Sequence, residues 1–356
     1  MNTTLLQQTK RPAARKDKQV VPPAPETNPP GTGAPRSLRL ERILVPLDFS
    51  EPATEALRFA LPFARETGAR LDLLHVIAPL SLPADTGYLP NEWNEWEAQQ
   101  SGSAAARLKQ LAAAEIRRPT RANFLVRKGQ PAPVIARVAQ EQRSDLVVVS
   151  THGHSGLKRF FLGSTAEAVV RQSPCPVLTV RRRVLARRGT PQSPPSERIN
   201  RVLVPVDFSA PSREMLQYAA DFARQFRASL LLLHVVQQIN VPSRVAYYAT
   251  GLQLAVLHEG MKQLAEWAER FVPAGVEAGQ SVLAGTPYDV IVQTAHREQV
   301  DLIIIATQGL TGLKRLFPGS TAGRVVRHAP CPVLVVRKHE HDFVAESPPK
   351  EIESKQ

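Results

Sequence analysis

The chain has 356 residues, a formal net charge of +13 and two cysteines, a length that accommodates two domains with separate cores. No apolar run reaches the ~18 residues that a membrane helix needs, and Met1 to Lys18 has no apolar centre of a secretory signal, so we expect no membrane association. Two cysteines exclude a disulfide framework and favour a reducing compartment, which predicts a cytoplasmic protein.

The chain begins with a segment that predicts no packed structure. Residues 1–38 are basic and rich in proline, and they predict a disordered tail; 183–198 predict a linker, and 339–356 a second disordered tail. Residues 1–40 hold seven Lys/Arg against two acids, and residues 181–198 hold six against one, a net +5 in each range. Since basic segments of this kind are mostly solvated chain, we predict no specific nucleic-acid binding.

Five strands alternate with helices in residues 40–182. The predicted strands are 42–47, Leu71–Ile77, Phe124–Arg127, Leu146–Val149 and Val177–Val180. The predicted helices start at Ser50, Asn91, Pro131 and Ser164. Continuous apolar strands of this length are typical of a parallel sheet that is buried on both faces. The pattern therefore predicts an α/β domain.

The same pattern returns in residues 199–338. Ile43–Ser50 is repeated 159 residues later as Val202–Ser209, and Pro174–Leu178 is repeated 156 residues later as Pro330–Leu334. This spacing is too long for a solenoid repeat, so we interpret the chain as a duplicated domain. We call residues 40–182 the first copy and residues 199–338 the second copy.

A glycine-rich segment follows the fourth strand of each copy. Its candidate ligand-binding residues are Gly153, Gly156, Gly163, Ser164 and Thr165 in the first copy, and Gly309, Gly312, Gly319, Ser320 and Thr321 in the second. Backbone N–H groups of a glycine-rich loop at a helix N-terminus typically bind phosphate. The structural alternative is that the glycines form turns and Ser164 caps the helix.

A Pro-x-Asp turn follows the first strand of each copy, with Pro46 and Asp48 in one and Pro205 and Asp207 in the other. In an open parallel sheet this turn meets the glycine-rich segment at the carboxyl ends of the strands. Each aspartate suits a ribose hydroxyl or a magnesium ion that bridges phosphates, or alternatively it caps the following helix.

For the other reactive side chains we predict structural roles. His75 and His234 end the second strands, where we expect packing or hydrogen bonding; Cys175 and Cys331 predict small buried side chains. The chain lacks a Walker-type loop and a G-x-S-x-G nucleophile, and each copy places one carboxylate where an acid–base pair needs two. We therefore predict a binding site and no efficient enzyme.

Taken together, the motifs I-L-V-P-x-D-F-S, L-L-H-V, T-[HQ]-G-x-x-G-L-K-R-x-x-x-G-S-T-A and C-P-V-L-x-V-R resemble the universal stress protein family, once in each copy. The resemblance implies two tandem open, parallel, five-stranded sheets of order 3-2-1-4-5, a Rossmann-like fold similar to adenine nucleotide alpha hydrolases. It also implies an adenine-nucleotide site whose adenosine part is lined by Pro46, Asp48 and Val76, and by Pro205, Asp207 and Val235.

The chain departs from the ATP-binding pattern G-x-x-G-x9-G-[ST] of this family at its first glycine, where Ser150 and Ala306 stand. A Cβ there restricts any positive-φ conformation that the position requires. Pro318 also removes one N–H from the second copy, so the first copy is the stronger candidate site.

The resemblance further implies that Val177–Val180 and Val333–Val336 pair within the chain as an internal pseudo-dimer, with further homo-oligomerisation left open. The leading hypothesis is a stress-response protein that binds ATP, with magnesium, as a regulatory ligand and hydrolyses it slowly if at all. The alternatives are a scaffold or signalling protein that binds no nucleotide and an adenylyl-transferring enzyme, for which the motifs are missing.

Overall fold

The computed structural model describes residues 40–79, 90–117, 119–151, 162–181, 199–237, 246–306 and 320–337. All of them lie within one compact unit, Arg36–Gln356.

The first copy contains five strands and four helices in its described residues. The strands are β1 Arg42–Pro46, β2 Arg70–Ile77, β3 Ala122–Lys128, β4 Leu146–Ser150 and β5 Val177–Val180. The helices are α1 Glu51–Thr67, α2 Pro90–Glu115, α3 Pro131–Glu141 and α4 Ser164–Gln172. Every predicted element is present, and β3 extends two residues before and one after its predicted range.

The second copy repeats this order in its described residues. The strands are β6 Arg201–Val206, β7 Ser229–Val236, β8 Ala278–Ala284, β9 Leu302–Ala306 and β10 Val333–Val336. The helices are α5 Ala210–Phe226, α6 Ala246–Phe271, α7 Pro287–Arg297 and α8 Thr321–His328.

All ten strands form one sheet in the order β3-β2-β1-β4-β5-β10-β9-β6-β7-β8. Each half has the order 3-2-1-4-5 with parallel pairing, as predicted. The two expected sheets are joined because β5 and β10 pair antiparallel, with Leu178 opposite Leu334. The predicted pairing of the two last strands is therefore present.

The central strands are apolar because helices cover both faces of the sheet. In β1, Ile43, Leu44 and Val45 are fully buried, and β4 is buried over its first four residues. Helix α1 begins after Ser50, whose hydroxyl accepts from the Ala53 N–H, and it ends at Gly68 with φ of 74°. Its buried stripe, which includes Leu57, packs on β1 and β4.

The two copies also meet through an aromatic cluster on one face of the sheet. Phe63 of α1 and Phe222 of α5 occupy equivalent positions in the two copies, and their ring centroids are 6.0 Å apart. Phe226 lies 5.3 Å from Phe63 and 4.4 Å from Phe222. We use "seam" for this cluster together with the β5–β10 pair. None of the described helices is long and apolar enough to cross a membrane.

Candidate functional site

The turn after β1 is held by its own aspartate. Asp48 Oδ1 accepts from the Ser50 N–H at 3.0 Å and from the Ser50 hydroxyl at 2.5 Å. Ser50, and not Asp48, caps α1, so the alternative in which Asp48 caps this helix is wrong. The aspartate instead orients the capping serine, and it lies half-buried beside Pro46 at the carboxyl edge of the sheet.

Phe49 adopts a left-handed backbone with φ of 64°, which turns the chain sharply after Asp48. Its ring packs on His75, with centroids 4.4 Å apart, and the Arg107 guanidinium lies 4.1 Å from the Phe49 centroid. His75 Nδ1 lies 2.7 Å from the Leu47 carbonyl oxygen. Because a carbonyl only accepts, Nδ1 carries the proton, and the histidine has the hydrogen-bonded role that we expected.

In the first copy, the described residues at the two ends of the glycine-rich segment are bonded to each other. The Gly163 N–H donates to the Thr151 carbonyl at 2.7 Å, and the Thr151 N–H donates to Val180 of β5 at 2.9 Å. A Cβ on Gly163 would lie only 3.2 Å from the Thr151 oxygen. The position therefore favours glycine because two backbone segments approach closely there.

Helix α4 begins at this bond. Gly163 is its N-cap, so the structural alternative in which Ser164 caps the helix is wrong; Ser164 is the first helical residue. Ser164 and Thr165 are exposed, and they lie in the first turn of α4, at the positive end of the helix dipole. This arrangement can accept an anion.

The missing first glycine of the family pattern causes no backbone strain. Ser150 and Ala306 are the last residues of β4 and β9, and neither belongs to the described residues with positive φ. The condition for the expected restriction by a Cβ, a positive φ, is therefore not met at these two residues, and a strand conformation suits any side chain.

The second copy repeats the first turn but not the helix start. Asp207 Oδ1 accepts from the Ser209 N–H at 3.1 Å and from the Ser209 hydroxyl at 2.6 Å. At α8, however, Ser320 is the N-cap, and its hydroxyl accepts from the Gly323 N–H at 3.1 Å. This bond occupies the Ser320 hydroxyl and the first-turn N–H of Gly323. The first helical residue of α8 is Thr321.

The aromatic packing above the second turn also differs. Phe208, with φ of 60°, packs on His234 at 4.4 Å and against Trp267 at 5.3 Å. The position equivalent to Arg107 is Gln263, so this turn lacks the guanidinium of the first copy. His234 Nδ1 donates to the Val206 carbonyl at 2.8 Å. The two copies share the turn and differ in what covers it.

All of the predicted site residues that the structure describes lie at the carboxyl edges of the two half-sheets. Pro46, Asp48 and Val76 lie at the carboxyl edge of the same half-sheet as Gly163, Ser164 and Thr165, and Pro205, Asp207 and Val235 lie at that of Ser320 and Thr321. Gly153, Gly156, Gly309, Gly312 and Gly319 lie outside the described residues. Within the described ranges no three His, Cys, Asp or Glu side chains form a metal-binding group.

Three residues near the site were not predicted. Thr151 accepts from the Gly163 N–H, and Phe49 and Arg107 cover the β1 turn. The repeated Phe in the Pro-x-Asp-Phe-Ser motif was the available signal for the aromatic position, whereas a helix position such as Arg107 has no motif. Cys175 and Cys331 are buried, as predicted.

Two parallel α/β half-sheets of order 3-2-1-4-5 with helices packed on their strands define a Rossmann-like architecture, a class in which ligands generally bind at the carboxyl ends of the strands. The model of the universal stress protein family matches residues 39–181 and 198–337. The chain therefore belongs to the universal stress protein family and contains two tandem copies of its domain.

Relatives agree with this assignment. A universal stress protein of Methanocaldococcus jannaschii is 33% identical over 142 residues, which are 39% of this chain and 82% of the relative. A universal stress protein of Mycolicibacterium smegmatis is 27% identical over 303 residues, covering 83% of this chain and 96% of the relative. The crystal structure of a universal stress protein from Archaeoglobus fulgidus covers 85% of this chain and 98% of its own, with a TM-score of 0.60 and 21% identity, which shows the shared fold.

Proposed function

We propose that this protein binds an adenine nucleotide, ATP with magnesium, as a regulatory ligand at the first copy, in the cytoplasm, without efficient catalysis. One observation supports the proposal above the others: the N-cap of α4 is Gly163, whose N–H is bonded to Thr151 and which has no side chain to cap the helix, at the edge where Asp48 lies. The backbone there is shaped for a group that supplies its own acceptors, as phosphate does.

Each residue group has a distinct task in this proposal. Ser164 and Thr165 would hold phosphate oxygens through N–H groups and hydroxyls, Gly163, whose own N–H is bonded to Thr151, would let the phosphate approach the backbone, and Asp48 would accept from a ribose hydroxyl or hold magnesium. Pro46 and Val76 would line the adenosine part. Magnesium is usually held by one or two carboxylates plus phosphates, so a single aspartate suffices and no cluster is needed.

For the second copy we favour the scaffold alternative. The Ser320 hydroxyl and the Gly323 N–H already satisfy each other at 3.1 Å, and Trp267 packs against Phe208. A ligand would have to displace the capping bond, which is worth about 1 kcal/mol. The second copy would then contribute structure to an internal pseudo-dimer rather than a second nucleotide site.

Calorimetry of ATP with magnesium on the full chain tests the proposal. We expect one site in the wild type, loss of binding in Gly163→Val, and full binding in the matched variant Gly319→Val. Asp48→Asn keeps an acceptor for Ser50 and removes the charge, so it should weaken binding, whereas Asp207→Asn should not. Circular dichroism and thermal unfolding of each variant serve as folding controls.

Three outcomes are decisive. A wild-type chain that binds no adenine nucleotide would refute the proposal in favour of the scaffold. Loss of binding in Gly319→Val alone would place the ligand in the second copy. Turnover of ATP near ~1 s⁻¹ or faster would indicate the enzyme class instead.

A further inference from the structure

Two equivalent arginines cross the seam between the copies. Arg337, directly after β10, donates from Nη1 to the Ser173 carbonyl at 3.1 Å and from Nη2 to the Val170 carbonyl. Arg181, directly after β5, donates from Nη1 to the Arg327 carbonyl. Each arginine therefore reaches the C-terminus of a helix that belongs to the other copy: α4 for Arg337 and α8 for Arg181.

In the last turn of α4, the sequence deprives the Val170 carbonyl of its usual backbone donor. In a continuing helix the Val170 carbonyl would accept from residue 174, but that residue is proline and has no N–H. The Arg337 guanidinium replaces this missing donor from the opposite copy. Pro330 occupies the equivalent place after α8, where Arg181 donates to the neighbouring carbonyl of Arg327.

Charge adds to these hydrogen bonds. A cation at a helix C-terminus interacts favourably with the negative end of the helix dipole. A salt bridge ties the same helices together, with Arg327 Nη2 of α8 lying 3.5 Å from Glu167 Oε2 of α4. Glu167 lies in the first turn of α4, so contacts from the second copy reach both ends of this helix.

We propose that Arg337 and Arg181 are positioning residues supplied in trans, each of which holds the helix that begins at the other copy's glycine-rich segment. Arg337 of the second copy then acts on the first-copy site through α4, a rigid helix about 13 Å long whose carboxyl end Arg337 holds and whose amino end lies at the site. The identity of the ligand rests on the function proposed above, but the positioning of α4 does not require a ligand.

Amide-resolved hydrogen exchange of the full chain without ligand tests this proposal. The informative amides at the amino end of α4 are Gly163, bonded to Thr151, and Glu167, bonded to Gly163; the amide at the other end is Ser173, bonded to Val169. In Arg337→Ala we expect all three to exchange roughly tenfold faster, because a hydrogen bond to a charged group is lost. The amides of α8 should keep their wild-type rates.

Matched variants separate positioning from local capping. Arg181→Ala should accelerate exchange in α8, for example at Ala329, and leave α4 unchanged. Arg171→Ala removes an exposed arginine from the last turn of α4 itself and should accelerate exchange in α4 far less than Arg337→Ala does, because only an interaction with the helix dipole is lost. Arg337→Lys, a milder change that retains the charge but loses the two-pronged donor, should fall between wild type and Arg337→Ala.

Faster exchange confined to Ser173 would overturn the proposal, because Arg337 would then be only a local cap. Unchanged exchange in Arg337→Ala, or equal acceleration of both helices, would overturn it as well. Calorimetry of the wild type with ATP and magnesium decides the proposed function separately. A chain that shows the crossed exchange pattern and binds no ATP supports the positioning role and refutes the nucleotide.

Discussion

The β1 turn concentrates several backbone constraints in three consecutive residues. Asp48 accepts from Ser50, Phe49 takes a left-handed conformation, and Ser50 caps α1. A left-handed backbone costs about 1–2 kcal/mol for a residue other than glycine. The packing of the Phe49 ring on His75 offsets this cost, and the same arrangement recurs at Phe208 and His234.

The first prediction concerns the cap in this turn. Ser50→Ala removes the acceptor for the Ala53 N–H and the hydroxyl that donates to Asp48. We expect the free energy of unfolding to fall by about 1 kcal/mol, measured by urea denaturation. Ser209→Ala, which removes the equivalent cap in the second copy, should cost a similar amount, and Ser103→Ala on the exposed side of α2 should be nearly neutral. An unchanged midpoint in Ser50→Ala would contradict the role of this cap.

The second prediction concerns pH and His328, at the end of α8. Burial lowers the pKa of His328, and the nearby Arg181, Arg327 and Arg324 lower that pKa further. Because the unfolded chain then binds a proton more readily than the folded chain, stability is lost as the pH falls through about 6.5 and below. Gln172 occupies the equivalent position in the first copy.

We therefore expect His328→Gln to lose less thermal stability than the wild type between pH 8 and pH 5.5. Melting temperatures at both pH values measure this difference. Identical losses in the two proteins would show that His328 does not contribute to the pH dependence.

At the scale of single elements, helices α1 and α5 pack across the seam through Phe63 and Phe222, both nearly fully buried. We expect Phe63→Ala and Phe222→Ala each to destabilise the chain by about 3–5 kcal/mol. Because the two rings are in contact, the double variant should lose less than the sum of the single changes. A double-mutant cycle by chemical denaturation measures this coupling, and strict additivity would show that the rings act independently.

Local patterns predicted the elements well. Continuous apolar runs indicated the buried strands, and Ser50 followed by Pro52 indicated the start of α1. The start of α8 was harder, because Ser320 caps its helix whereas the equivalent Ser164 does not. The periodicity of apolar residues does not specify a one-residue difference in where a helix begins.

Contacts between distant elements were not predictable from the pattern. The resemblance implied the β5–β10 pair, but the reach of Arg337 to Val170 depends on the antiparallel register and on a long side chain. The aspartates of the candidate site were found because they follow a buried strand, whereas Arg107 lies on a helix that has no motif. Sequence reasoning therefore located the edge of the sheet better than the groups that cover it.

At the scale of the whole molecule, β5 and β10 protect each other's edges. Alone, the first copy would present Val177–Val180 as an unpaired edge strand. We expect a chain of residues 40–182 to self-associate through this strand at micromolar concentration, measured by analytical ultracentrifugation. The full chain should not use this edge, because β10 occupies it. A monomeric first copy would show that the edge does not drive association.

The antiparallel seam also affects how the two halves can diverge. In a symmetric homodimer every substitution occurs in both subunits, so a contact and its symmetry equivalent change together. Joining the copies in one chain removes that constraint. The pair between Glu167 and Arg327 illustrates the result: the equivalent pair in the other half would need an acid at position 323, where glycine stands. A tandem chain can keep the pairing of its two halves for folding while each half acquires its own residues.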